Sequence, residues 1–228
     1  MNGKIRRRIE MGFRALQFSY ENPDPSPSYG VMVARLEDLM RQAGELELRQ
    51  LKGRNQEGGA AKKKRVLRRT MKRAHLAYLA RLAEAASNEE PELWQLFAWP
   101  RSRAQRDFRA TAGKIAAQAV ERRELLERFG LSAEVLEALG DMLKDFDRFT
   151  EELIEGQRMH VGATAGLRQV SAEILLAVSV LDGFNRVRFA GHPSALVVWA
   201  SVSKVLAHSP RADGDAPAEE EGGVRPAA

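Results

Sequence analysis

"GRNQEGGAAKKKRVLRRTMKRAHLAYLARL", residues 53–82, is the stretch whose reading decides the fold. Gly53, Gly59 and Ala60 mark a turn by composition. A helix is expected after it, over about 62–86, because that segment is rich in strong helix formers and free of Pro. Advancing about 100° per residue from Leu67 gathers Leu67, Met71, Ala74 and Tyr78 on one face, and the cations on the other. Leu76 and Leu79 fall outside that apolar stripe. The end of the helix therefore reads as apolar all round, the mark of a helix buried on every side.

The same pattern recurs downstream. Displaced by about 103 residues, the chain falls into register with itself over 31–84 without a gap, on the estimate that pattern rather than identity defines a repeat. Leu36, Leu39, Met40, Ala43 and Leu46 meet Leu139, Met142, Leu143, Phe146 and Phe149 at helical core spacing. Gly53, Gly59 and Ala60 meet Gly156, Gly162 and Ala163. Leu67, Met71 and Tyr78 meet Val170, Ile174 and Leu181, and Leu175 and Leu176 lie opposite Ile174 in the second copy. Each repeat is read as four helices: 3–20, 31–52, 62–86 and a short one from Pro91, then 104–128, 132–155, 164–187 and a short one from Pro193. Gly130 and Ser132 supply the C-cap and N-cap between the first two helices of the second copy. The expectation is an all-α, tandem duplicated helical bundle of about seven or eight helices. Its repeats would be 1–100 and 101–208, followed by a disordered Pro/Gly-rich tail at 209–228.

Composition narrows the class. The 228 residues are 44% hydrophobic and 29% charged, enough apolar content to bury a core, and no cysteine is present. That excludes disulfides, thiolate zinc sites and a cysteine nucleophile, and fits a reducing compartment. Arg14 interrupts any apolar core of a leader in the first twenty residues. The most apolar segments, 172–181 and 195–200, fall short of the roughly 20 residues of a membrane span. A soluble, cytoplasmic protein without a transmembrane segment is expected. Residues 1–100 carry 19 Lys and Arg against 12 Asp and Glu; the remainder carries 17 against 19. A polyanion would therefore meet the first half.

Eight of the twelve residues from Lys62 to Arg73 are cationic: Lys62, Lys63, Lys64, Arg65, Arg68, Arg69, Lys72 and Arg73. A solvated helix face accounts for them, and the second copy forms its helix without them. Two features favour a polyanion or nucleic-acid surface. The charges are of one sign, where a solvated face usually mixes Glu with Lys. Lys62, Lys63 and Lys64 also stand at an expected helix start, where the macrodipole disfavours cations. No Walker pattern accompanies them. At the N-terminus, Ile5, Ile9, Phe13 and Leu16 share a face that suits core packing, or a membrane surface.

Catalytic and metal motifs are absent from the sequence. No Glu-x-x-His pair occurs; Glu151, Glu152 and Glu155 near His160 lack a second ligand set, and His75, His160, His192 and His208 are far apart. Trp94, Trp99 and Trp199 belong to the short fourth helices, where they either close a bundle end or form a docking surface. The expected function is a non-enzymatic scaffold, adaptor or structural assembly protein, needing no cofactor or metal and acting through protein–protein contacts or self-association. Leu76, Leu79, Trp94, Trp99, Leu175, Leu176 and Trp199 are its candidate interaction residues. The alternative is a polyanion or nucleic-acid-binding module built on the eight cations of 62–73.

Overall fold

The structure, a computed structural model, describes residues 2–99 and 105–206. The chain is all-α, with no strand among the described residues. Helix α1 spans Gly3–Glu21, capped by Asn2, whose side chain accepts from the Lys4 N–H. Helix α2, Pro27–Thr70, begins with Pro at its first position, where the missing N–H costs nothing. It runs without a break into a π-helical segment, Met71–Leu76, and then into α3, Ala77–Ala86. A short α4, Leu93–Leu96, follows; α5 is Gln105–Glu121 and α6 is Arg123–Arg128. Helix α7, Ala133–Arg188, is 56 residues long, and α8, Pro193–Val202, closes the described chain.

The turns expected at 53–61 and 156–163 do not form: both segments are helical, and neither 31–84 nor 134–187 is a hairpin. The reason lies in where the glycines point. Helices α2 and α7 run antiparallel and cross with their backbones in contact. A Cβ on Gly53 would lie 2.6 Å from the His160 nitrogen and 2.8 Å from the Gly156 carbonyl oxygen; a Cβ on Gly156 would lie 2.6 Å from the Glu57 nitrogen. These two glycines serve close helix approach rather than a turn, a use that composition cannot separate from turn formation. Ala60 and Ala163, both buried, extend the narrow contact. Gln50, 5% exposed, donates to Thr164 Oγ1 at 2.7 Å beside it. Positions 103 apart thus meet at the crossing, 53 with 156, as the sequence register implies.

Two cores flank this crossing, one toward each end of the pair. The first joins α3, α4, α5, α6 and the N-terminal part of α7 around Leu79, Phe97, Phe108, Leu126 and Phe146. The second joins α1, the start of α2, the C-terminal part of α7 and α8 around Phe18, Leu36, Ile174, Leu181 and Trp199. Each core therefore draws on both halves of the chain. The expected bundles of 1–100 and 101–208, each closing on its own residues, are not how the apolar side chains are divided. Once the hairpin turn straightens into helix, the two ends of each long helix are too far apart to share a core. The continuous helix from Pro27 to Ala86 has segments of 44, 6 and 10 residues. At 1.5 Å per residue it is about 90 Å long, and α7 about 84 Å.

The π segment resolves the helix that read as apolar all round. Leading into it the buried positions are Gly53 and Ala60; the segment itself buries its two ends, Met71 and Leu76, and beyond it come Leu79, Leu82, Ala83 and Ala86. The step from Met71 to Leu76 is five residues, one more than an α-helical turn accommodates. The wider π turn absorbs it and keeps Leu76 on the core side. Ala74, expected in the stripe, is exposed, and Tyr78 is half-buried with its hydroxyl donating to the Gly130 carbonyl at 2.6 Å. The helix is thus apolar on successive faces in register with one core, not buried on all sides.

Local signals elsewhere are kept. Gly130, at φ +104°, is the described residue with positive φ, and Ser132 precedes α7 in an extended conformation. Arg188 at the end of α7 donates to the Asn22 and Pro23 carbonyls and pairs with Asp24 at 3.3 Å, fixing the proline-rich link between α1 and α2. The helix expected over 104–128 is split at Arg122, whose backbone leaves the helical region. On α1 the buried residues include Ile5, Met11, Ala15 and Phe18, whereas Phe13, expected in the core, is 61% exposed. Gly12 sets that orientation: its Cβ would lie 2.6 Å from Ile174. The tail at 209–228 and His208 lie outside the described residues.

Candidate functional site: two outer faces of the long helix pair

The eight cations of 62–73 separate into two sets. Four lean onto the aromatic edge of the first core. Lys63 lies 5.2 Å from the Phe149 ring centre, Lys64 4.6 Å from Phe146, Arg68 5.0 Å from Phe108 and Lys72 5.6 Å from Trp99. Their stems cover apolar rings while their heads reach outward, the common disposition of long cationic side chains. Lys63 also pairs with Glu152 at 3.7 Å. Burial lowers the pKa of Lys64 below its ordinary value, with nearby Asp147 acting in the opposite sense.

The other four, Lys62, Arg65, Arg69 and Arg73, are exposed and have no acidic partner among the described residues. They stand opposite the buried Ala60 and Met71 and the half-buried Leu67 of the same helix, at spacings of three, four and four residues. From Gly58 to Ala83 the helix carries no Asp or Glu. The carboxylates of the neighbouring part of α7 are engaged elsewhere: Asp141 with Lys144, Asp145 with Arg148 and Asp147 with Arg109. The expected macrodipole cost is absent, because Lys62 is in mid-helix rather than at a helix start.

The matching face of α7 is of opposite character. Positions 103 beyond Lys62, Arg65, Arg69 and Arg73 are Ala165, Arg168, Ala172 and Leu176, so one cation of the four has a cationic counterpart. The outward line on α7 runs Ile154, Arg158, Val161, Ala165, Gln169, Ala172, Leu176, Val180, Gly183 and Val187. All ten are exposed, and Arg158 is the single charge among them. Leu176 is 67% and Val187 80% exposed. On α8 Val197 and Val198 are exposed as well. One 18-residue window of α7 is long and apolar enough to cross a membrane by composition, with mean hydropathy 1.3, a feature the shorter apolar segments did not reveal. Its inner side nevertheless builds the second core, and 39% of the window is buried.

The sequence-derived interaction residues separate in the same way. Leu76, Leu79 and Trp199 are buried within the chain's own cores and offer no surface. Trp99 is half-buried against Phe108, with ring centres 5.1 Å apart. Trp94, Leu175 and Leu176 are exposed. Phe97 belongs to the first core and Trp199 to the second. Val180, Val187, Val197 and Val198 were missed. A wheel drawn around Ile174 already places Val180 and Val187 outward with Leu176; the signal was masked by reading α7 as buried on every side.

Among the described residues no third chemistry assembles. Glu152 and Glu155 turn to Lys63 and Gln56, and His160 Nδ1 pairs with Glu57 at 3.0 Å across the crossing. Among the described residues no group of three or more metal-ligating side chains forms. No protein-family model matches the chain, nor does any curated protein or solved structure.

Proposed function

We propose that the protein is a non-enzymatic, rod-shaped adaptor whose α7 face docks a second copy of the chain. The supporting observation is the order of residues along that face. Its ten outward positions are spaced four, three, four, four, three, four, four, three, four, which reads the same in both directions. Laid antiparallel on itself about the midpoint between Gln169 and Ala172, the line sets Ile154 against Val187, Val161 against Val180 and Ala165 against Leu176. The one charge, Arg158, falls opposite Gly183, which has no side chain to block it. Three of the five pairs are aliphatic on both sides, Gln169 falls opposite Ala172, and no like charges oppose each other.

The face is about 50 Å long and about 10 Å wide, from helix geometry. Two copies would bury about 1,000 Å², the lower end of what a specific interface needs. An interface of that size is of the weak, transient class, and its Kd is taken as about micromolar.

Size exclusion with light scattering tests this. The full chain should approach twice its 25.4 kDa mass as concentration rises. Leu176→Lys with Val180→Lys, both on the side away from the core, should hold it at 25.4 kDa with an unchanged circular dichroism spectrum. A wild-type mass of one chain at about 100 μM, well above a micromolar Kd, refutes the reading.

A further inference from the structure

We infer that the outward stripe Lys62, Arg65, Arg69 and Arg73 is a binding site for the phosphate backbone of a nucleic-acid duplex. The four side chains project from the side of α2 opposite its core and span about 16 Å of helix. Three are arginines, whose forked donors suit phosphate oxygens. Like charges three and four residues apart weaken a helix by a few tenths of a kcal/mol per pair. Here they are kept together without an intervening carboxylate for 26 residues, Gly58 to Ala83. A bound polyanion would offset that repulsion.

The surroundings favour a duplex backbone over other anions. A membrane surface would call for aromatic or leucine side chains among the cations; beside this stripe only Val66 is an exposed large hydrophobic. Base stacking on single strands needs accessible rings, but Phe108, Phe146 and Trp99 are covered by Arg68, Lys64 and Lys72. What remains is charge at regular spacing, which reads phosphates without reading sequence. The site is independent of α7 self-pairing, since it lies on a different helix.

The test is fluorescence anisotropy of the full chain with a random-sequence DNA duplex over a salt series. Four phosphate contacts give a slope of about −3.6 in log K against log salt, so affinity should fall about 150-fold between 50 and 200 mM. Changing Lys62, Arg65, Arg69 and Arg73 together to Gln should remove most of the binding and flatten the slope. The pair Arg65→Gln and Arg69→Gln, a milder change, should halve the slope. Lys63→Gln with Lys72→Gln should leave affinity within about twofold, since a rim contact spared by the ligand contributes little. Unchanged affinity in the pair variant overturns the inference. So does binding to anionic phospholipid vesicles without binding to duplex, or an equal loss from the inner pair.

Discussion

Replacing Gly53 by Ala is the sharpest probe of the helix crossing, because the same change elsewhere on α2 should act in the opposite direction. In an open helix position Ala is favoured over Gly by about 1 kcal/mol. Gly44 is such a position, with nothing within 4 Å of an added Cβ. At Gly53 the new methyl would sit 2.6 Å from the His160 nitrogen and 2.8 Å from the Gly156 oxygen, both backbone atoms that cannot rotate away. Restoring ordinary contact requires the helices to part by about 0.8 Å. Overpacking of this kind costs about 1–3 kcal/mol. The parting also stretches the Gln50–Thr164 hydrogen bond, now 2.7 Å, which adds about 1 kcal/mol. The net expectation for Gly53→Ala is a loss of about 1–3 kcal/mol, or roughly 2–12 °C in Tm for a chain of this size. Gly44→Ala should gain about 0.5–1 kcal/mol. Thermal and urea melts of the two variants measure both signs. If Gly53→Ala stabilises as Gly44→Ala does, the helices do not approach closely there and the crossing is misplaced.

Four further outcomes follow from particular residues. Deleting Ala74, an exposed residue in the π segment, should convert that segment to ordinary α-helix and change stability by less than about 1 kcal/mol. Deleting the equally exposed Ala172 should rotate the rest of α7 by about 100° and abolish the cooperative melt. Asn185 is fully buried with both amide atoms unpartnered, so Asn185→Leu should raise stability by about 1–3 kcal/mol in a urea melt; a loss would show that the amide is satisfied. Because burial lowers the pKa of Lys64 in the folded state, the unfolded chain binds more protons between that value and 10.5. Stability should therefore rise with pH across that window, and Lys64→Met should flatten the rise.

What could be read from the sequence depended on how many physical roles a residue type has. Pro193 opens α8 and Gly130 takes positive φ as expected, because each signal has one dominant cause. Gly53 and Gly156 were ambiguous: glycine permits a turn and also permits two backbones to touch, and only the partner helix distinguishes the two. Leu76 and Leu79 misled through the assumption of a constant 100° advance, which the π turn breaks. The cationic face was legible as a group, but its division was not, since Lys63, Lys64, Arg68 and Lys72 are set apart from Lys62, Arg65, Arg69 and Arg73 by aromatic rings more than thirty residues away in most cases. The α7 face is present in the letters, but the apolar residues on its inner side hide it, because a helix apolar on several faces reads as buried on all of them.

Everything about the two faces depends on α2 and α7 being straight through their glycines. The chain has no cysteine, so Ala34→Cys and Ala85→Cys, both at exposed positions, can be labelled as a donor–acceptor pair. A continuous helix places these positions about 75 Å apart, and energy transfer should be weak. Strong transfer, from a separation of about 20 Å or less as two helices packed side by side in a hairpin would give, would contradict the continuous rod and with it both proposed surfaces.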